Sequence, residues 1–285
     1  MINVKEARTS KLDTGTIACQ GVEGAYSQTA ANALFGDPGI MYMRSFDAVF
    51  RAVESGLCRY GILPVENSNA GSVNEVHDLM RVHNFYIVKS VKVAVAHMLL
   101  AKTKVDIKKI KEIYTHEQAY RQCSKLFDKY PDIKVHLYAN TAAAAQLVAE
   151  SDRTDIAAIA SEKCAELYNL TILEKNIQDH NNNFTRFICI SKKPEILDHA
   201  EKVSLMVTLV HKAGSLYEVI KQFADAGLNL TKLESRPIAN SDFEFMFYFD
   251  FQGSVENKLV MDVLEKLEKT AKQLVFLGNY SEIIA

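Results

Sequence analysis

The run FYIVKSVKVAVAHMLL, residues 85–100, limits what this chain can fold into more than any other stretch. Its β-branched and aromatic residues favour an extended backbone, yet it is far longer than the usual strand of about 5–6 residues. A segment of this kind passes from one sheet into another, and the later run FTRFICI, 184–190, can return the chain to the first. Two lobes with a cleft between them follow. The surrounding sequence agrees. Short apolar runs such as TIACQ, YGILPV, EIYT, VHLY and DIAAIA alternate with helical stretches, among them SFDAVFRAVESG with Ser45 as cap and Gly56 as stop, HEQAYRQCSKLFDKY, and TAAAAQLVAE. This rhythm predicts sheets, parallel or mixed, flanked by helices.

At 285 residues the chain exceeds a typical single domain, and the composition changes character after the polar linker SKKPEILDHAEK. VSLMVTLV, GSLYEVIKQFADAG, LNLTKLESRPI, FEFMFYFDF, SVENKLVMDVLEKLEKTAKQL and VFLGNY read as strand, helix, strand, strand, helix, strand. That order is the ferredoxin-like βαββαβ arrangement. Phenylalanine at every second position of FEFMFYFDF gives one strongly apolar face, and Met246 and Tyr248 make the other semi-apolar, a face expected to meet another subunit.

The formal net charge is −2, with no block of like charges, which points away from nucleic acid and anionic membrane surfaces and toward a small molecule or a protein. Five scattered cysteines without a C-x-x-C pair read as buried thiols in a reducing compartment rather than as a metal or redox site. MINVKEARTSKLDTG lacks the apolar core of a secretory signal, and no stretch reaches the ~18 apolar residues of a membrane span, so a cytoplasmic location is expected.

Four polar clusters fall where strands give way to loops, the ligand-binding position of such folds. In QGVEGAYSQTAA, Gly21 and Gly24 turn the chain into a helix from about Tyr26, exposing the amides of Gly24 to Ser27 as an anion site. The spacing is not the G-x-G-x-x-G dinucleotide fingerprint, and such turns often bind nothing. In GILPVENSNAGSV a strand delivers Glu66, Asn67 and Ser68 together, a costly group to bury without a task; the alternative is a surface loop with an Asx-turn. In YTHEQAYRQC, His116 reads as a helix cap or surface residue. In YANTAAAA, N-capping explains Asn140 and Thr141 fully, although with Ser161 of DIAAIAS they could line an anion pocket. A further segment, NNNFTRF, runs an asparagine loop into a strand, with Thr185 and Arg186 set between Phe184 and Phe187 at the junction. No H-E-x-x-H or G-x-S-x-G pattern is present, so chemistry is expected from hydroxyls, amides, Glu66 and Arg186.

GVEGAYS, GILPVENSNAGSV, THEQAYRQC, NTAAAA with AAIAS, NNFTRF and GLNLTKLESRP stand in the order found in prephenate dehydratases, and the resemblance covers essentially residues 15–285. It implies an N-terminal extension (1–15), a two-lobed catalytic domain of the periplasmic-binding-protein type (16–193) and an ACT regulatory domain (200–285). The implied reaction converts prephenate to phenylpyruvate, with loss of carbon dioxide and water, in phenylalanine biosynthesis, without cofactor or metal. A homodimer or homotetramer is implied as well. The stretch before Thr16 is too short for the chorismate mutase domain of some relatives, so the monofunctional form is expected.

By this resemblance Thr185 is the essential threonine, donating a hydrogen bond to the departing hydroxyl, with Glu66 or water as a proton relay and Arg186 clamping the pyruvyl carboxylate. Tyr26, Ser27, Asn67, Ser68, Asn140, Thr141, Ser161, Phe184 and Phe187 are the implied substrate contacts. Gly214, Ser215 and Leu216 at a helix start, with Asn229, Leu230 and the turn Glu234, Ser235, Arg236, Pro237, are the implied site for L-phenylalanine at a dimer seam. The family usually reads Pro-Gly-Ala-Leu where this chain has Ala213-Gly214-Ser215-Leu216. A chain ending near Glu195 is expected to stay partly active. The alternatives are an arogenate dehydratase and a non-catalytic amino-acid-sensing protein, although a sensor does not require TRF after an asparagine run.

Overall fold

The computed structural model describes residues 4–238 and 244–285. The first lobe opens with β1 (Ile17–Gln20), α1 (Tyr26–Phe35), β2 (Ile40–Met43), α2 (Phe46–Ser55), β3 (Tyr60–Asn67), α3 (Asn74–Met80) and β4 (Tyr86–Ala94). Helix α2 starts and stops as its sequence dictates: the Ser45 hydroxyl accepts from the Ala48 amide, and Gly56 takes the left-handed conformation, φ 80°, that ends it.

The chain then crosses to a second lobe of β5 (Met98–Ala101), β6 (Glu112–Thr115), α4 (Glu117–Gln122), α5 (Ser124–Lys129), β7 (Lys134–Leu137), α6 (Thr141–Glu150), β8 (Ile156–Ala160), α7 (Glu162–Leu167) and β9 (Thr171–Glu174). The run from 85 to 100 thus feeds both sheets, as its length demands. The helix expected over HEQAYRQCSKLFDKY is broken at Cys123, because Asp179 from the return crossover accepts from the amides of Ser124 (2.8 Å) and Lys125 (3.1 Å) and starts α5 afresh.

The chain returns as β10 (Phe184–Ser191), which lies between β3 and β4 and runs antiparallel to both, in a sheet whose order runs β4-β10-β3-β1-β2. The second sheet has the order β9-β5-β8-β6-β7. Both sheets are therefore mixed: β10 in the first and β5 in the second run antiparallel to both of their neighbours.

Residues from 202 onward form β11 (Lys202–Thr208), α8 (Ser215–Asp225), β12 (Leu230–Pro237), β13 (Phe245–Gln252), α9 (Lys258–Thr270) and β14 (Gln273–Tyr280), in the antiparallel order β12-β13-β11-β14. This is the ferredoxin-like topology. Phe249 and Phe251 bury one face of β13 beneath α8 and α9, while Phe243 lies outside the described residues.

The opposite face of β13 differs from expectation. Met246, Tyr248 and Asp250 meet the first lobe of the same chain, not another subunit. Met246 and Tyr248 share a core with Ile188 and Ile190 of β10, the Tyr248 hydroxyl donates to the His77 carbonyl, and Asp250 pairs with Arg186 at 2.6 Å. The last strand, β15 (Glu282–Ile284), adds to the first-lobe sheet in parallel with β4. A Cβ on Gly278 would overlap the Ile87 carbonyl oxygen, so only glycine lets β14 pass this close to β4. Cutting the chain near Glu195 would remove β15 and Asp250 and uncover Arg186 together with the apolar Ile188 and Ile190 that pack on Met246 and Tyr248. The independence expected of the catalytic part does not match these contacts.

The Arg186–Asp250 pair sets a stability prediction. Burial alone would raise the Asp250 pKa, but Arg186 and the Ser204 hydroxyl hold it below its usual value. A depressed carboxylate contributes stability above its unfolded pKa of ~3.9 and loses it as pH falls through the folded value. Asp250→Asn should cost about 3–5 kcal/mol near neutrality, since it strands a buried guanidinium. Denaturant titrations should show the gap to the parent narrowing below about pH 4, and should show recovery when Arg186→Met is added.

Candidate active site

Strand β10 sorts its side chains by alternation: Thr185 and Phe187 face the cleft between the lobes and Arg186 faces away. The cleft holds a cavity of about 340 Å³, a size suited to a small ligand. The first lobe supplies Tyr26, Ser27, Asn67, Thr185 and Phe187; the second supplies His116, Gln118, Gln122, Asn140 and Thr141; His97 lies on the crossover. Among the described residues no lysine or arginine lines it, and Glu75, solvent-exposed, is its single carboxylate. Favourable potential for an anion comes instead from the starts of α1 and α6, which point in from opposite lobes. A larger surface depression of about 790 Å³ runs past Asp13, Gly15, Pro38 and His199. It lies at the amino ends of β1 and β2, the wrong end for a ligand site in such sheets.

The polarity of the hydrogen bonds fixes what Thr185 can do. Asn67 Oδ1 accepts from the backbone amides of Asn69 and Ala70, both at 3.0 Å, which orients the side-chain amide without ambiguity. Asn67 Nδ2 must then donate, and it reaches Thr185 Oγ1 at 3.0 Å, Asn183 Oδ1 at 2.8 Å and the Phe184 carbonyl at 3.2 Å. Thr185 is thus an acceptor toward Asn67, and its own proton is free for the cleft. The Asx-turn anticipated around Asn67 is present, and it serves the site rather than replacing it.

Other expected residues divide between the cavity and its frame. The Tyr26 hydroxyl donates to the Ala96 carbonyl at 2.7 Å, Ser27 Oγ donates to the Gln20 carbonyl at 2.8 Å, and Asn140 Oδ1 caps α6 by accepting from Ala143 at 2.8 Å, so each lines the cavity from a fixed position. The amides of Gly24 and Ala25 are taken by Gln28 and Val22, which narrows the expected anion-facing set to Tyr26 and Ser27. Ser161 lies off the cavity and caps α7. Ser68 ties the loop to Asn182 and Phe184, and neither it nor Phe184 lines the cavity.

Glu66 and Arg186 require a correction. Both project from the face of the sheet opposite the cleft, one residue out of phase with Asn67 and Thr185, in contact with the ferredoxin-like unit. Arg186 is bonded to Asp250, and although burial alone would lower its pKa, Asp250 holds it above the usual value. It cannot clamp a carboxylate in the cleft, and Glu66, 3.4 Å from Lys232, is not placed to relay a proton to Thr185. Sequence reading missed Asn183, Gln122 and His97. Asn183 was hidden inside an asparagine run, and Gln122 stands one helical turn after Gln118, a spacing that puts both on one face.

In the ferredoxin-like unit Gly214 adopts φ 87° at the start of α8, and the Ser215 hydroxyl donates to the Val210 carbonyl at 2.7 Å. Leu216 packs against the unit's core, and Leu230 begins β12. Asn229 lies past the far end of the 11-residue α8, about 16 Å away, bonded to Gln252. Glu234 accepts from Ser72 and Arg236 forks onto Asp78 at 2.7 Å, both on the first lobe, while Ser235 and Pro237 are exposed.

Two α/β lobes joined by two crossovers, with a hydroxyl and oriented amides at the strand ends and a ferredoxin-like unit locked behind the central strand, define a two-lobed α/β enzyme class. The chain belongs to the prephenate dehydratase family, whose model matches residues 17–195. It is 37% identical over 275 residues to arogenate dehydratase/prephenate dehydratase 2, chloroplastic, of Arabidopsis thaliana, covering 93% of this chain and 72% of that one. A prephenate dehydratase from Arthrobacter aurescens, solved in complex with L-Phe, superposes with TM-score 0.87 at 28% identity, covering 93% and 90% of the two chains. The solved GqqA, described as a novel type of quorum quenching acylase, has TM-score 0.84 and 30% identity, with 93% and 97% covered. One backbone therefore carries more than one described chemistry, and the side chains of the cleft must decide between them.

Asn67→Asp places carboxylate oxygens against Thr185 Oγ1 and Asn183 Oδ1 and draws the threonine proton back. Calorimetric melting should report a loss of roughly 1–3 kcal/mol, the cost of leaving buried acceptors unpaired.

Proposed function

We propose that this protein removes carbon dioxide and water from prephenate to give phenylpyruvate, the dehydratase step of phenylalanine biosynthesis. The observation that carries the reading is the Thr185 hydroxyl, made an acceptor toward Asn67 so that its proton is offered to the cavity. When prephenate aromatises, the electrons of the bond to the ring carboxylate enter the ring, carbon dioxide leaves, and the ring C–O bond breaks. Charge grows on the departing oxygen, where a preset donor lowers the barrier. The proton that completes water comes from solvent, since a threonine hydroxyl is too weak an acid to give its own outright.

The absence of lysine and arginine from the lining residues fits this chemistry. A cation on the ring carboxylate would stabilise the ground state and oppose decarboxylation, whereas helix-start amides and hydroxyls orient a dianion more gently. Thr185→Val should lower kcat at least ~10²-fold with little change in KM, and Thr185→Ser should retain most of the rate. Continuous assay of phenylpyruvate release checks both, and normal turnover by Thr185→Val would refute the role. Parallel assays with prephenate and arogenate test the substrate directly.

The ferredoxin-like unit reads as an ACT domain that takes L-phenylalanine and slows catalysis. Its topology, the Gly214 turn and the Arthrobacter complex support this. Because Gly214 and Asn229 stand at opposite ends of α8, a site using both needs a second copy, in keeping with a homodimer or homotetramer. Five buried free thiols favour a reducing compartment such as the cytoplasm, and among the described residues no helix is long and apolar enough to cross a membrane. Isothermal titration with L-phenylalanine should show saturable binding, and saturating effector should inhibit roughly 5- to 150-fold. A protein that neither binds nor slows would remove the regulatory assignment alone.

A further inference from the structure

Five buried side-chain atoms lack a partner among the described residues, and two of them, His97 Nδ1 and Gln122 Nε2, belong to residues that line the cavity. They belong to the hydrogen-bond chain that ends on Thr185, whose direction is set by backbone. Starting from the Asn69 and Ala70 amides, Asn67 Nδ2 donates to Asn183 Oδ1 at 2.8 Å, and Asn183 Nδ2 in turn donates to Gln122 Oε1 at 2.9 Å. His97 Nε2 lies 2.9 Å from the same Gln122 oxygen, so it must be the donor. Reversing the Gln122 amide would set its N–H groups against Asn183 Nδ2 and forfeit that bond, so the orientation follows from Asn183, and the histidine tautomer follows from the orientation. The neutral imidazole therefore carries its proton on Nε2, with a bare lone pair on Nδ1. Burial lowers the pKa of this histidine and favours the neutral form.

The backbones of both residues are clamped by the return crossover: His97 N donates to Gln178 Oε1 at 2.9 Å, Ile177 N to the His97 carbonyl at 2.9 Å, and Asp179 N to the Gln122 carbonyl at 2.7 Å. Buried polar atoms held this firmly beside a cavity and left without a partner call for an explanation, and a bound ligand supplies one. We propose that His97 is a positioning residue of this site: as the Nε2-protonated tautomer it holds the Gln122 amide with its N–H groups turned into the cleft, toward a substrate oxygen. The assignment rests on the dehydratase reading for the identity of that substrate, but the tautomer and the amide orientation do not depend on it.

The test combines a spectroscopic and a kinetic arm on the full-length protein. Nitrogen-15 NMR of imidazole-labelled protein at neutral pH should place the unprotonated nitrogen of His97 on Nδ1; protonation on Nδ1 would overturn the proposal whatever the activity. In the kinetic arm, His97→Leu should lower kcat/KM about tenfold, the worth of one hydrogen bond. His97→Gln, which restores a donor near the ε position, should recover most of it. Adding His97→Leu to Gln122→Leu should cost nothing further, because the histidine acts through the glutamine; additive losses, or full activity in His97→Leu, would refute the role. Failure of the parent protein on both prephenate and arogenate would instead remove the dehydratase reading, with the NMR result still deciding the tautomer. If His97→Leu does not fold, His97→Gln and the NMR arm decide.

Discussion

The rest of the structure depends on the placement of one strand. Phe184–Ser191 is inserted antiparallel between two neighbours and presents Thr185 to the cleft and Arg186 to the ferredoxin-like unit. Because side chains alternate with a period of two, anything that fixes Arg186 also fixes Thr185. The fixing contact is the buried pair with Asp250, backed by Ser204, which bonds both Asp250 (2.6 Å) and Tyr280 (2.7 Å). Shifting Asp250 within the closed join would leave a desolvated guanidinium poorly paired, and opening the join would expose the apolar contacts of Met246 and Tyr248 with Ile188 and Ile190, so the first-lobe sheet and the C-terminal unit hold together. A displacement of Asp250 reaches the Thr185 hydroxyl through a single residue of backbone.

Further contacts make the same join. Lys232 bridges Glu66 and Glu234, Arg236 grips Asp78, and Glu282 takes Lys92 and Lys202 at 3.0 Å each. Residues first read as catalytic (Glu66, Arg186) or ligand-binding (Glu234, Arg236) are thus spent on the contact between units. The cleft is left with uncharged donors and helix starts, a gentler field than paired cations would give. That suits a reaction in which one carboxylate must be lost while the other is only oriented.

Much of this was legible in the sequence, for definite reasons. The over-long run at 85–100 forced two lobes, the serine and glycine around residues 46–55 bounded a helix, and the strand and helix periods after residue 202 spelled out the ferredoxin-like order. Thr185, Asn67, Tyr26, Ser27, Asn140 and Thr141 drew notice because hydroxyls and amides at strand ends stand out against apolar runs, and together with Phe187, implied by the resemblance, they line the cavity. The break at Cys123 was not legible, since the carboxylate that causes it, Asp179, lies more than fifty residues away.

What the sequence determined by itself is whatever depends on near neighbours: the period of each element, its caps, and the residue types gathered at each strand end. Tertiary structure alone decided which way those residues faced and whom they met. Thr185 and Arg186 are adjacent in the chain and both polar, and nothing local says which will face the cleft. The choice falls to Asp250, which captures the arginine from 64 positions away, and to the Asn69 and Ala70 amides, whose fixed direction passes through Asn67, Asn183 and Gln122 to His97. Long-range ion pairing and the polarity of a hydrogen-bond chain exist only once the backbone is folded, and for that reason no pattern in the sequence records them.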